Sequence, residues 1–146
     1  MTFKLILILL LTSCALGSKY ETYTPLATLP TQFNTESTDR YLLTQYKGVL
    51  NEQARVIYYK NNLYLMDEVV SGSINNVSVN GLQIVINCTI KKCNKVILAH
   101  NHPSQYWARP SNIDLDDADK FKEMMNQADI QAHYIIIGEH DANWIY

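Results

Sequence analysis

The chain has 146 residues, which is the length of a single domain. Hydrophobic residues make up 47% of the sequence and charged residues 18%, so a packed core can form and a disordered chain is excluded. The formal net charge is -2 and the sequence contains no dense basic run, so the electrostatic signature of a nucleic-acid-binding protein is absent. We therefore expect no nucleic-acid partner.

The first 17 residues have the pattern of an export signal. A short basic start that ends at Lys4 precedes an unbroken aliphatic run over residues 5–11. This run is far shorter than the roughly 20 apolar residues that span a bilayer. Small and polar residues follow it, as in secretory signals. We therefore predict that residues 1–17 are a signal segment and that the protein is exported.

Two processing sites fit this segment. Residues 11–14 resemble a bacterial lipobox, in which Cys14 would be lipidated and would attach the protein to a membrane as a lipoprotein. Residues 15–17 (Ala-Leu-Gly) are also an acceptable cleavage site, which would release a periplasmic or secreted protein that begins at Ser18. We prefer lipidation, and cleavage before Ser18 stays open as the alternative.

The remaining chain predicts a linker followed by one α/β domain. Residues 18–36 are polar and rich in threonine, with two prolines, and they predict an extended linker. Residues 37–146 predict the domain, in which strands alternate with helices as in an α/β sandwich. The patterns predict helices over residues 37–47, 82–93 and 111–128, strands over residues 55–59, 63–70, 95–99 and 134–137, and short strands near residues 77–79 and 143–146.

Cys88 and Cys93 are the two cysteines of the predicted domain. If the helix over residues 82–93 continues through both, their Cα atoms lie roughly 8 to 9 Å apart. That separation is beyond the reach of a disulfide bond. We therefore predict two separate, partly buried thiols.

Two histidines directly follow the buried strand over residues 95–99. Residues i and i+2 of an extended chain point to the same side, so His100 and His102 can direct both imidazoles at one point. Pro103 disfavours a helical conformation for the residue before it and so keeps His102 extended. The end of this strand is therefore a candidate for a ligand pair.

A helix start with an acidic residue lies seven residues beyond Pro103. Ser111 can cap this helix, and Asp114 in the first turn can complete a capping box. The carboxylate has two oxygens, so capping and metal ligation are compatible. Two imidazoles and one carboxylate form a three-ligand set for Zn²⁺ that leaves the fourth tetrahedral position open for water, as in catalytic sites. We therefore predict a zinc site formed by His100, His102 and Asp114.

The pattern His-x-His-Pro-x7-Ser-x-x-Asp over residues 100–114 resembles the zinc signature of the JAB1/MPN/Mov34 metalloenzymes, the JAMM motif. Residues 96–111 are most similar to the RadC-type branch of this family, and the similarity covers about residues 48–138. The resemblance implies a JAB/MPN-type α/β fold, similar to that of cytidine deaminases, with a mixed β-sheet flanked by helices. It also implies a zinc metallopeptidase that acts on peptide or isopeptide bonds, with a peptide or protein as substrate.

The family uses a glutamate ahead of its first core strand as general base, and two residues of this chain are candidates. Glu52 stands just before the strand over residues 55–59 and matches the RadC-type pattern. Glu68 lies near the end of the next strand, four residues before Gly72. We favour Glu52 and keep Glu68 as the alternative. In the implied mechanism the second catalytic residue is Ser111, which would donate a hydrogen bond to the oxyanion.

Three departures from the RadC-type pattern lie outside the predicted ligands. Gln105 replaces a glycine, residues 133–134 (His-Tyr) replace Asp-His, and residues 81–83 (Gly-Leu-Gln) replace Pro-Arg-Glu. These changes affect the expected substrate contacts and partner surfaces. Two alternative functions remain, namely a JAB-fold binding or structural module without turnover, and a RadC-like protein associated with DNA.

Overall fold

Six strands and three helices make up the part of the chain that this computed structural model describes, which is residues 21–23 and 32–146. The strands form one mixed sheet in which five neighbouring pairs are hydrogen-bonded, four antiparallel and one parallel. The predicted α/β class, with a mixed sheet flanked by helices, is confirmed. In chain order the elements are β1 (Glu21–Tyr23), α1 (Thr35–Tyr46), β2 (Gln53–Lys60), β3 (Leu63–Ser71), α2 (Gly81–Lys91), β4 (Lys95–Asn101), α3 (Asn112–Gln127), β5 (Gln131–Ile137) and β6 (Ala142–Trp144).

The strand order in the sheet is β1-β3-β2-β4-β5-β6, and the parallel pair is β4 with β5. β2 and β3 form the predicted hairpin, whose turn residues Asn61 and Asn62 both have positive φ angles of 50° and 65°. A two-residue hairpin turn needs this conformation, which asparagine tolerates better than most residues. β2 also pairs with β4, with Ala54 opposite His100, so the start of β2 lies beside the end of β4.

The central strand β4 is buried along its whole length. Its side chains alternate between the two faces of the sheet, with Val96 and Leu98 on one face and Ile97 and Ala99 on the other. Helices α2 and α3 cover the first face, and α1 covers the second. His100 continues the alternation after Leu98, so its imidazole lies on the α2–α3 face.

A buried polar network holds α1 against its face of the sheet. Arg55 of β2 forms an ion pair with Asp67 of β3, and the Tyr41 hydroxyl donates to the same carboxylate at 2.7 Å. Near the end of the helix, the Tyr46 hydroxyl donates to the Ala99 carbonyl at 3.1 Å. Removing one partner of a buried ion pair leaves an uncompensated charge, so this network fixes the position of α1.

The linker predicted over residues 18–36 is wrong for the described part of that range. Glu21–Tyr23 forms the edge strand β1, which runs antiparallel to β3. Gln32 makes an isolated bridge to Leu63 at the start of β3. The composition of residues 18–36 favours a linker. Residues 21–23 nevertheless form a strand, because their backbone pairs with the free edge of β3, and composition does not reveal such pairing.

Two further predicted boundaries change. Helix α1 begins at Thr35 because the Asn34 side chain caps it by accepting the Ser37 amide at 3.0 Å, so Ser37 lies in the first turn. The short strand predicted near residues 77–79 is absent.

The predicted signal segment, including Cys14, lies outside the described residues. Among the described residues, no helix has the length and hydropathy needed to cross a bilayer.

The prediction of two separate thiols is wrong, because Cys88 and Cys93 form a disulfide with a Cα–Cα distance of 4.9 Å. Helix α2 ends at Lys91, and Lys92 adopts a left-handed conformation with a φ of 56°. The chain then turns back, and the Cys93 amide donates to the Cys88 carbonyl at 2.9 Å. The prediction failed because it continued the helix through Cys93.

Replacing Cys93 with serine is expected to lower the free energy of unfolding by about 2 kcal/mol, the loop-closure contribution of a loop of about six residues. Urea denaturation with and without reductant measures this difference. Reduction should destabilise the wild-type protein by the same amount and leave the variant unchanged. A wild-type protein that is insensitive to reductant would contradict the disulfide.

Candidate metal centre

The three predicted metal ligands converge where β4 ends and α3 begins. His100 Nε2 lies 3.0 Å from His102 Nε2 and 3.0 Å from Asp114 Oδ1. His102 Nε2 lies 3.4 Å from Asp114 Oδ2. All three side chains are buried, and their donor atoms face a common point.

These distances fit a zinc ion. Zinc binds imidazole nitrogen and carboxylate oxygen at roughly 2.0 to 2.2 Å, so neighbouring ligand atoms of a tetrahedral site lie about 3.3 Å apart. The observed separations of 3.0 to 3.4 Å span that value. Imidazole and carboxylate are also the donor types that zinc accepts. His100, His102 and Asp114 therefore form a set of donors whose type and spacing are suited to a zinc ion.

The capping box at the start of α3 orients Asp114. The Ser111 hydroxyl accepts the Asp114 amide at 3.2 Å, and the Ser111 amide donates to Asp114 Oδ2 at 2.6 Å. Burial alone would raise the pKa of Asp114, but hydrogen bonds from His100 and Ser111 outweigh it and hold that pKa well below its usual range. Asp114 is therefore an anion at neutral pH, and the predicted capping box is confirmed.

A cleft of about 740 Å³ opens beside the three metal donors. Its lining includes His100, His102 and Asp114, together with the two predicted catalytic residues, Glu52 and Ser111. Glu52 directly precedes β2 and is half-buried. The structure therefore brings all five predicted site residues to one cavity, although Glu52 lies 48 residues before His100 in the sequence.

Glu68, the alternative general base, does not line this cleft. Its carboxylate is buried within β3, where it accepts the Tyr58 hydroxyl at 2.8 Å and the Asn87 side-chain amide at 3.0 Å. A carboxylate held by two protein donors away from the metal donors is poorly placed to exchange protons with a substrate. Of the two candidate glutamates, Glu52 is the one that lines the cleft.

The sequence profile of the RadC-like JAB domain matches residues 33–144, which is most of the chain. The chain belongs to the RadC-like JAB family. This membership agrees with the fold and with the family that the JAMM-type pattern indicates. The JAB-type architecture of a mixed sheet with flanking helices is thereby confirmed for this domain.

Relatives of this RadC-like JAB domain carry the name UPF0758. The protein PSHAa2643 of Pseudoalteromonas translucida is 34% identical over 103 residues, which cover 68% of this chain and 46% of the relative. A protein of Nitrosococcus oceani is 29% identical over 107 residues, which cover 71% of this chain and 47% of the relative. The protein YeeS of Escherichia coli is 26% identical over 108 residues, covering 72% of each. The chain spans about half the length of the first two relatives.

Asn101, between the two histidines, connects the start of β2 to β4. Its side-chain oxygen accepts the Gln53 amide at 2.6 Å, and its side-chain nitrogen donates to the Asn51 carbonyl at 3.1 Å. Backbone pairing of β2 with β4 stops at Ala54, so this carboxamide holds the residues on both sides of Glu52. No local sequence signal points to Asn101, because its partners lie about 50 residues earlier in the chain.

The other side of Glu52 is held by the residues that follow β3. The Glu52 amide donates to the Ser73 carbonyl, and the Gly72 amide donates to the Glu52 carbonyl, both at 2.9 Å. A Cβ atom at Gly72 would clash with the Asn76 carbonyl oxygen, so only glycine fits this close approach. Glu52 is therefore fixed from both sides relative to the metal donors.

Tyr134 of β5 contacts His100 on the side away from the other donors. The Tyr134 hydroxyl lies 3.3 Å from His100 Nδ1. If Nε2 of His100 binds the metal, its proton lies on Nδ1 and the tyrosine oxygen accepts it, which fixes the tautomer and the ring orientation. Residue 134 departs from the RadC-type pattern, but the sequence does not predict a role for it, because its contact with His100 joins two different strands.

Replacing Tyr134 with phenylalanine is expected to weaken zinc binding about 10- to 100-fold, because a ligand histidine loses its outer hydrogen-bond partner. Competition with a chromophoric chelator measures the affinity. Tyr64→Phe is a matched control, since the Tyr64 hydroxyl contacts Asp67 and not the metal donors. His102→Ala should abolish binding. Unchanged affinity in Tyr134→Phe would show that the hydrogen bond from His100 to Tyr134 does not contribute to zinc binding.

Proposed function

We propose that this RadC-like JAB domain is a zinc-dependent hydrolase of peptide or isopeptide bonds. The observation that carries the proposal is the convergence of His100, His102 and Asp114 in a cleft that Glu52 and Ser111 also line. Three protein ligands with a free fourth position are typical of catalytic rather than structural zinc. The substrate class comes from the resemblance to the JAMM metalloenzymes.

Glu52 and Ser111 would divide the proton transfer and the charge stabilisation between them. Zinc, when bound, supplies a Lewis acid that polarises the scissile carbonyl and makes water more acidic. Glu52 accepts a proton from the attacking water and passes it to the nitrogen of the leaving amine. Asn101 and Gly72 support this role because they hold the backbone of Glu52 from both sides.

In this proposal the Ser111 hydroxyl donates a hydrogen bond to the oxyanion that forms during hydrolysis. This oxygen accepts the Asp114 amide and, as a hydroxyl, it can also donate; the Ser111 side chain lines the cleft beside the metal donors. Ser111 can therefore serve as a helix cap and as an oxyanion donor at the same time. A donor of this kind typically contributes roughly 2.7 to 4 kcal/mol to transition-state stabilisation.

Replacing Glu52 with glutamine is expected to leave zinc binding intact and to lower hydrolysis about 10²- to 10⁴-fold, because the general base is lost. Metal analysis and cleavage of a peptide library measure the two effects on the same preparation. Glu68→Gln is the matched control and should keep its activity. If Glu68→Gln loses hydrolysis and Glu52→Gln keeps it, Glu68 and not Glu52 is the general base.

The same preparation distinguishes the alternative functions. If the wild-type protein binds zinc near one ion per chain but cleaves no member of a peptide and isopeptide library, the non-catalytic binding module is favoured. Salt-sensitive DNA binding would favour the DNA-associated alternative, because phosphate contacts release counterions. The net charge of -2 leads us to expect no such binding.

We also propose that the protein is exported and attached to a membrane through Cys14. The Cys88–Cys93 disulfide supports export, because disulfides persist mainly in oxidising compartments. Labelled palmitate should be incorporated into the wild-type protein and not into Cys14→Ser. If the wild-type protein is not labelled and its N-terminal sequence begins at Ser18, the cleavage alternative replaces lipidation.

A further inference from the structure

All chain connections at one end of the sheet lie around the metal centre. We call this end, formed by the loops over residues 47–52, 72–80, 102–111 and 138–141 together with the first turn of α3, the metal end. The strand register shows that the start of β1 also lies at the metal end. Glu21 lies opposite Val69, near the end of β3, and β3 ends beside the start of β2. The described chain therefore enters the sheet at the metal end.

The metal end also carries most of the strongly exposed apolar side chains. Among the described residues, seven large hydrophobic side chains are more than half exposed, and five of them lie at this end. They lie on four different segments at this end of the sheet. These five are Leu50 (82% exposed), Ile74 (68%), Tyr106 (56%), Trp107 (52%) and Ile113 (72%).

The two exposed aromatic residues are carried by a firmly held loop. The Glu139 amide donates to the Gln105 carbonyl at 3.0 Å, and the Ala108 amide donates to the Asp141 carboxylate at 2.5 Å. A Cβ atom at Gly138 would clash with this loop, so the two segments are in close contact. Trp107 is therefore exposed on a loop whose backbone is held by hydrogen bonds to residues 139 and 141.

We propose that the metal end is a membrane-binding face, and that Leu50, Ile74, Tyr106, Trp107 and Ile113 insert into the lipid–water interface. Tyrosine and tryptophan favour this interface because their rings are apolar and their polar atoms stay hydrated. Separate apolar side chains on a rigid end can enter the boundary between headgroups and acyl chains together.

The position of Cys14 favours a bilayer as the occupant of this face. Seven peptide units separate Cys14 from Glu21, and they can span at most about 25 Å. This step rests on the lipidation of Cys14 proposed above: because Glu21 enters the sheet at the metal end, an anchor at Cys14 would keep this end near the bilayer. The cleft would then face the lipid surface, which predicts substrates whose scissile bond lies close to a membrane.

Depth-dependent fluorescence quenching tests this orientation. The full chain is bound to vesicles of phosphatidylethanolamine and phosphatidylglycerol that contain lipids with brominated acyl chains. In Trp144→Phe, Trp107 is the remaining tryptophan, because the chain has two. Its emission should shift to shorter wavelength and lose most of its intensity. Unchanged Trp107 emission on vesicle-bound protein would overturn the proposal.

A pair of exposed positions at opposite ends provides the matched control. In a background with both native tryptophans replaced by phenylalanine, Leu50→Trp reports on the metal end and Ile90→Trp on the last turn of α2, at the opposite end. The native side chains are 82% and 72% exposed. Leu50→Trp should be quenched and Ile90→Trp should not. Equal quenching would overturn the proposed face, after circular dichroism has shown that both variants are folded.

Self-association is the main competing explanation for the exposed face. If Trp107 emission shifts with protein concentration in the absence of lipid, a second copy of the chain covers the face and the proposal is wrong. These readouts require neither zinc nor a substrate. A failure of the membrane-binding proposal is therefore distinguishable from a failure of the proposed hydrolase activity.

Discussion

The carboxylate of Asp114 links the first turn of α3 to the end of β4, and the rest of the site depends on this link. One oxygen accepts the Ser111 amide and closes the capping box, while the other faces His100. The capping box sets where the helix begins, and the helix start sets where the carboxylate lies. The capping box of α3 and the candidate metal site therefore both require an aspartate at position 114.

The metal centre also has an energetic consequence for the fold. Three polar side chains are buried at the end of a strand whose other residues pack into the hydrophobic core. Burial of such groups is unfavourable unless they are paired or bind a metal ion. Zinc binding to His100, His102 and Asp114 would therefore stabilise the domain as well as equip it for catalysis, and metal affinity and folding are expected to be coupled.

The two ends of the sheet carry different structural features, the candidate metal centre at one end and the disulfide at the other. At the metal end, the parallel strands β4 and β5 finish side by side, and in α/β sheets ligand sites commonly lie beyond the carboxyl ends of such strands. Asn101 and Gly72 add the contacts that bring Glu52 to this point. At the opposite end, the Cys88–Cys93 disulfide closes the turn between α2 and β4. The candidate metal centre and the disulfide therefore lie at opposite ends of the sheet.

The sequence by itself determined the hairpin, the buried central strand, the three helices and the metal triad, because each follows from local periodicity or short spacing. His100, His102 and Asp114 lie within 15 positions of one another, so strand and helix geometry was enough to bring them together. Only the tertiary structure decided between Glu52 and Glu68 as residues of the cleft, and only it revealed the role of Asn101. These outcomes depend on pairing between segments about 50 residues apart, and no local pattern encodes such contacts. The disulfide was also decided by the fold, because a left-handed residue after α2 reversed the chain.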